Sequence, residues 1–311
     1  DLHSFPTRRS SDLEPVPALA KDLSVVVTIK PVHSLAVAVM EGAGAPSLLL
    51  KGASSPHSYS MRPSDAKTLS TADIIVRVSG NLESFLDKPL ASLSQNAKVI
   101  TLSEIPGIKL LPVRESGAFD SHDDGDHDAK AGAGHEHEEH DAHLWLSPDN
   151  AAAIADHLAA VLAEAQPEQA GLFKANAARL KQRLTALDAE LRTDLAPVKG
   201  KSFVVFHDAY HYFEEHFGLE AAGSITISPE RQPGAARLKA IRAKIAGAGS
   251  ACVFSEPQFE PKLVRTVVEG ADAKTGVLDP IGASLPEGKD QYFQVMINLA
   301  KALNGCLAGP S

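Results

Sequence analysis

Short β-branched and apolar runs alternate with helical stretches in both halves of this chain, and that alternation constrains the fold more than any other feature. In the first half LSVVVTIKPV (residues 23–32) reads as a buried parallel strand ending at a proline, followed by an alanine-rich helix from Ser34 to Glu41. SLLL, DIIVRV and KVITL continue as strands. Between them RPSDAKTLSTA, with Pro63 near its start, and LESFLDKPLASL, interrupted near Pro89, read as helices. In the second half SFVVF, an extended GLEAAGSITI, SACVFSE and KTGVLDP alternate with the helices AYHYFEEHF, GAARLKAIRAKIAG, PKLVRTVVEG and DQYFQVMINLAKALN. Strands spaced by single helices call for parallel sheets, so the expected class is α/β, with two parallel-sheet βα lobes of similar size.

Helical sequence joins the halves. SPDNAAAIADHLAAVLAEAQ opens with Ser147 as a cap, Pro148 in the first turn and Asp149 at the positive helix end. A second stretch, from Pro167 to about Leu195, carries Leu172, Phe173, Leu180, Leu184, Leu187 and Leu191 at spacings compatible with one face. Taken as one bridging helix within residues 148–196, roughly 45 nearly continuous helical residues would span ~65 Å if straight. A break at Gln166–Pro167 is equally allowed. The N-terminal lobe is then expected over residues 22–147 and the C-terminal lobe over 201–311. Residues 1–13, DLHSFPTRRSSDL, read like the in-frame translation of a sequencing-library adapter, a non-native scar. They lack the apolar centre of a signal peptide, so any secretion signal is absent from this chain.

Charge is concentrated. Of a formal −9, the stretch from Asp120 to Asp141 carries −8, from nine acids and one lysine. The remainder is nearly neutral and holds no basic patch, which excludes a nucleic-acid partner. No run of about 18 apolar residues suggests a membrane-spanning helix. The acidic stretch also holds His122, His127, His135, His137 and His140, with His143 just beyond. Glycine and alanine separate them, so this loop over residues 120–142 has no apolar period and builds no core. A flexible run of imidazoles and carboxylates suits weak collection of zinc, copper or nickel. The plainer reading is a solvated acidic insert.

In open parallel sheets, ligands bind beyond the carboxyl ends of strands. His57 lies in the loop after SLLL, His207 ends FVVF, Asp279 ends TGVL, and His143 closes the histidine-rich run. Any one alone is more often structural. Together they fit a tetrahedral zinc site. His33, at the end of the first strand, reads as a ligand or as a donor behind the ligands. His211 and His216 are expected to be partly exposed, His157 to be solvated, and Trp145 to serve packing. No HExxH, GxSxG, P-loop or dinucleotide fingerprint occurs. A zinc hydrolase would need an open coordination position and a general base, with Glu256, Asp208 or Asp279 available. Asp208 fits better as an orienting group or a helix cap. Cys252 and Cys306 show no metal spacing. They would be free thiols in a cytosol and could pair in an oxidising compartment.

Four motifs carry a resemblance. GASSPHSYSMRPSD with His57, HLWLSPDNA with His143, FHDAYHYFEEHFGL with His207 and VLDPIG with Asp279 resemble the ligand segments of the zinc-specific solute-binding proteins of bacterial ABC importers, the ZnuA-like branch of the metal-binding cluster. The similarity runs from about residue 23 to the C-terminus. It implies two lobes bridged by a long helix, with Zn2+ in the cleft, held by His57, His143 and His207 and completed by Asp279 or water. It further implies periplasmic residence, docking to an inner-membrane ABC permease, a binding role without catalysis, and a Cys252–Cys306 disulfide. A monomer is expected. Manganese-type relatives carry a carboxylate where this chain has His207, and a third imidazole favours zinc. The chain departs from some members in having Pro56 where they carry a glutamate. A zinc-dependent hydrolase and a periplasmic metal buffer or chaperone are the alternative functions.

Overall fold

The computed structural model describes residues 23–114, 140–229, 232–247 and 251–308. His122, His127, His135 and His137 lie outside the described residues, as does the 1–13 segment. Strands β1 (Val25–Val27), β2 (Ser47–Leu48), β3 (Ile74–Arg77) and β4 (Lys98–Thr101) form one sheet in the order β2-β1-β3-β4. Strands β5 (Phe203–His207), β6 (Gly223–Thr226), β7 (Ala251–Ser255) and β8 (Ala273–Val277) form a second in the order β6-β5-β7-β8. Every pairing is parallel. Central strands are apolar on both faces because helices cover both: all of β1 and all of β5 are buried. In both sheets the strand order reverses beside the first strand, at β1/β3 and at β5/β7, which is where ligand crevices form in such sheets.

The first lobe carries helices α1 (Lys30–Val39), α2 (Pro63–Ser70) and α3 (Asp87–Leu93). Two expectations are corrected here. β1 stops at Val27, and α1 begins at Lys30 rather than Ser34, with Ile29 as N-cap and Pro31 in the first turn. A proline lacks an N–H that the first turn would leave unpaired anyway, so Pro31 starts the helix instead of ending the strand. Pro89 likewise sits inside the first turn of α3, and the change of helix type comes before it, after a 3-10 turn at Ser84–Leu86.

Between the lobes the helix is broken. α4 (Pro148–Ala165) and α5 (Ala170–Leu195) are separated by a 3-10 turn at Pro167–Gln169 and pack along each other as a hairpin. α5 is 26 residues long, about 39 Å. It buries Phe173, Ala177, Leu180, Leu184, Leu187, Leu191 and Leu195. The second lobe adds α6 (His211–Phe217), α7 (Ala235–Gly247), α8 (Lys262–Val268) and α9 (Gln291–Leu307). α5 packs on α1 and α4 on one side and on α6 and α9 on the other; α9 also reaches α1. These two helices bind the lobes into one body. A single apolar core runs from β1 and β3 through α4, α5 and α9 to Phe203 and Val205. The alternate residues Val204 and Phe206 face a smaller core with Ile225, Ile241, Val253 and Val264 on the far side of the second sheet. Cys252 on β7 and Cys306 on α9 form a buried disulfide with 6.1 Å between their Cα atoms.

One buried carboxyl ties the crevice of the first sheet. Glu83, fully buried, accepts the Thr28 hydroxyl at 2.5 Å and the backbone N–H groups of Val78 and Ser79. Burial outweighs these hydrogen bonds and pushes its pKa up to about 7.

Candidate metal centre

Loops beyond the carboxyl ends of β2, β5, β7 and β8 meet the segment ahead of α4, and three imidazoles converge there. His57 stands half-buried in the loop after β2, next to the buried Pro56. His143 is the N-cap of a 3-10 turn, Leu144–Leu146, whose three side chains are all buried. His207 is the last residue of β5 and is 3% exposed. The Nε2 atoms of His57 and His143 are 3.2 Å apart, as are those of His143 and His207. All three ligand nitrogens lie within 4.8 Å of one another. Two nitrogens bound at 2.0–2.1 Å to one tetrahedral ion would sit roughly 3.3–3.4 Å apart, so the spacing matches the edge of such a polyhedron. Among the described residues this is the one group of three or more His, Cys, Asp or Glu able to hold a metal ion.

Carboxylates behind the rings decide which nitrogen faces the centre. Asp141 Oδ1 accepts from His143 Nδ1 at 2.7 Å, and Glu256 Oε1, directly after β7, accepts from His207 Nδ1 at 2.7 Å. With Nδ1 carrying the proton, each Nε2 presents a lone pair inward. Nitrogen acceptors aimed at one point repel unless a cation or a shared proton lies between them. Burial and the two neighbouring imidazoles hold the His57 pKa well below the usual histidine value. Burial pushes the His207 pKa down, but Glu256, with Asp208 and Asp141 adding to it, lifts it further, for a net rise. Burial raises Asp141, yet its bonds to His143 outweigh that and leave its pKa low. Ser55, Pro56, Trp145, Gln258, Phe259, Pro280 and Ile281 wall the rest of the pocket.

The chain matches the family model described as ZnuA, zinc-uptake complex component A, periplasmic, over residues 25–306. The chain belongs to the ZnuA family. It is 48% identical over 305 residues to the high-affinity zinc uptake system protein ZnuA of Brucella suis, with 91% of each chain covered. Against the protein of the same name from Yersinia pestis the identity is 38%, again with 91% of each covered. A crystal structure of ZnuA superposes with a TM-score of 0.75 at 25% identity, covering 92% of this chain and 100% of that one. The Pseudomonas aeruginosa solute-binding protein FpvC in complex with Mn2+ shares the fold at a TM-score of 0.75 and 22% identity.

In this ZnuA-family chain the other residues singled out by sequence fall elsewhere. Asp279 is not drawn into the cluster. Its Oδ1 accepts from Gln258 Nε2 at 2.7 Å and Gly282 N at 2.9 Å, and its Oδ2 from Ala283 N at 2.7 Å. His33 lies on α1, not at a strand end, and its Nε2 bonds the Pro46 carbonyl at 3.0 Å. His216 bonds Asp188 at 2.6 Å on α5. His211 and His157 are half-buried and outside the cluster, so His157 is less solvated than expected. His140 forms an antiparallel bridge with Pro112 at the root of the acidic loop. Trp145 is fully buried, and its Nε1 donates to the Pro280 carbonyl at 2.9 Å. Asp208 is ion-paired with Arg114, which also binds Glu214. The roles of Asp141 and Glu256 as ring-orienting carboxylates escape the sequence reading. The Asp-x-His spacing at Asp141–His143 is a usable local signal for the first; the second has none, because Glu256 lies 49 residues from His207.

Proposed function

We propose that this chain binds one Zn2+ tightly between its lobes in the periplasm and hands it, as a monomer, to the permease of an ABC importer. The observation that carries this reading is the convergence of three imidazoles, with His143 Nε2 3.2 Å from the Nε2 atoms of both His57 and His207, and His143 and His207 backed by carboxylates. His57, His143 and His207 are the ligands. A water completes the shell, because the oxygens of Asp279 are held by Gln258 and the backbone. Residues 22–147 and 201–311 act as two jaws, and the helical hairpin within 148–196 joins them. A core continuous through both jaws favours small cleft movements on release over wide swings. Among the described residues no helix is long and apolar enough to cross a membrane.

The acidic run then serves as a set of weaker sites, with His122, His127, His135, His137 and His140 feeding the tight one. A hydrolytic reading is less favoured, because each carboxylate it would use as a base is already engaged. Glu256 orients His207, Asp208 pairs with Arg114, and Asp279 gathers a loop. The test is competitive zinc titration of the metal-stripped protein by calorimetry, beside a variant lacking residues 120–139. That deletion spares the Pro112–His140 bridge and the Asp141 that orients His143. One tight site surviving the deletion, with weak sites lost, is the expected result. Weak sites alone, all lost with the run, would make the protein a metal buffer.

A further inference from the structure

Lys30 is a buried cation with no carboxylate partner among the described residues. It opens α1 in the first lobe and is 7% exposed. Its Nζ donates to three main-chain carbonyls of the second lobe: Ala283 at 2.7 Å, Leu285 at 3.1 Å and Gly282 at 3.4 Å. An ammonium has three N–H donors, and all three are committed to one loop. Burying a full charge is costly unless it is well hydrogen-bonded, so such a lysine is an expensive way merely to fill space.

The loop it grips is gathered from the opposite side. Asp279 accepts the N–H groups of Ile281, Gly282 and Ala283. Trp145 Nε1 donates to the Pro280 carbonyl and Gln291 Nε2 to that of Ile281. Gly282 has φ +66, and a Cβ there would stand 2.4 Å from Gln291 Nε2 and 2.7 Å from Val295 Cγ2. Glycine is therefore required on both conformational and steric grounds. The amide side of the loop belongs to Asp279 and the carbonyl side largely to Lys30. Pro280 and Ile281, held between those anchors, form the pocket wall that faces the three imidazoles.

We propose that Lys30 is a positioning residue for the metal: by locking the first lobe onto the 279–285 loop, it holds Pro280 and Ile281 against the open side of the imidazole triangle. This rests on the zinc-binding reading above and deepens it. A wall on that side restricts the space for additional ligands, which would keep a bound ion four-coordinate. Zinc accepts that geometry readily, whereas hard cations of higher coordination number do not.

The test uses Lys30→Met, which keeps the length and apolar stem but removes the donors, together with Ile281→Ala, which trims the wall and leaves the latch. Each is loaded with Co2+ and read by its d–d absorption, and each is titrated with Zn2+ and Mn2+. Both variants are expected to lose the intense four-coordinate cobalt bands in favour of weaker bands of higher coordination. Zinc affinity should fall about 10- to 100-fold, as for other groups that support ligands from behind, and the preference for zinc over manganese should narrow. Lys30→Arg should recover part of the cobalt spectrum. If Lys30→Met fails to fold, Lys30→Gln, which keeps N–H donors but removes the charge and shortens the reach, decides by the same readouts. Wild-type cobalt spectra and an unchanged zinc-to-manganese ratio in the folded variants would overturn the role of Lys30. Failure of the wild-type protein itself to bind zinc tightly would instead remove the function on which the inference rests.

Discussion

Asp141 accepts two hydrogen bonds from His143, the ring Nδ1–H at 2.7 Å and the backbone N–H at 3.0 Å. One intervening residue is enough, because the chain turns tightly between them. The same aspartate closes the root of the acidic loop, its N–H donating to the Leu111 carbonyl at 2.9 Å. Tyr212 of α6 spans that root, accepting the Leu111 N–H and donating to the Asp141 carbonyl. The imidazole orientation is thus set by local chain geometry and reinforced from the other lobe.

Asp141→Asn and Glu256→Gln should each weaken zinc binding by about 10- to 100-fold while leaving one site. Each change removes a charged acceptor that fixes the tautomer and raises ligand basicity. Calorimetric competition against a chelator measures this; wild-type affinity in both variants would show that the carboxylates serve packing only.

Replacing His143 or His207 by Ala should abolish tight binding, since each deletes one of three nitrogens. The loss should exceed that in either carboxylate variant. If the ordering came out reversed, the three rings would not be the ligands.

Glu83 makes stability depend on pH. Its folded-state pKa is raised to about 7 from an ordinary 4.5. The folded protein therefore holds this proton to higher pH than the unfolded chain does. The stabilising effect of the retained proton is fully present below about 4.5 and is lost as pH rises through 7. At one pKa unit per 1.36 kcal/mol, the loss amounts to about 3 kcal/mol. Urea unfolding of wild type and Glu83→Gln at pH 4.5 and pH 8 tests it: the variant should gain on wild type by about that amount at the higher pH. A pH-independent difference would refute the assignment.

The Cys252–Cys306 bridge closes a 54-residue loop, worth about 4 kcal/mol in the chain-entropy model. The double Ser variant should lose stability of that order in urea and still bind one zinc, because no ligand lies on either cysteine. A stability unchanged by removing the bridge would count against that model here.

Arg114 is partly buried between Asp208 and Glu214 of the other lobe, whose side chains are 6% and 3% exposed. Its guanidinium pKa is pushed up by those two acids against the opposing effect of burial. Arg114→Leu strands two buried carboxylates and should cost about 3 kcal/mol. Zinc should also dissociate faster, since Asp208 adjoins His207. Stopped-flow chelation reads the rate, and wild-type kinetics would separate this ion cluster from the metal site.

The alternation of apolar runs made the two parallel sheets legible, because strands covered on both faces must be apolar throughout. Boundaries governed by proline were less so. Pro31 reads equally as the end of β1 or the start of α1, and the local sequence contains nothing that chooses. Pro167 allowed both a continuous and a broken helix; packing of α4 along α5 selects the break. The three histidines stood out by their strand-end positions. Asp279 stood out for the same reason, yet its acceptors are taken by the backbone of Ile281, Gly282 and Ala283 and by Gln258. The Asp-Pro-x-Gly run is a turn signature as much as a ligand signature. Glu256 was legible only as a carboxyl of uncertain purpose, since its partner is set by the β5–β7 register.

α9 is the last helix among the described residues, yet its first residues reach the centre of the molecule. Tyr292 donates its N–H to Ser34 Oγ and its hydroxyl to the Trp145 carbonyl, and Gln291 holds Ile281. A polypeptide emerging N-terminus first therefore exposes all three imidazoles before the helix that shapes their surroundings has been made. Synthesis of α9 becomes a checkpoint: a product truncated ahead of it would carry the histidines without the finished pocket, and would be a poor competitor for metal beside one that includes it.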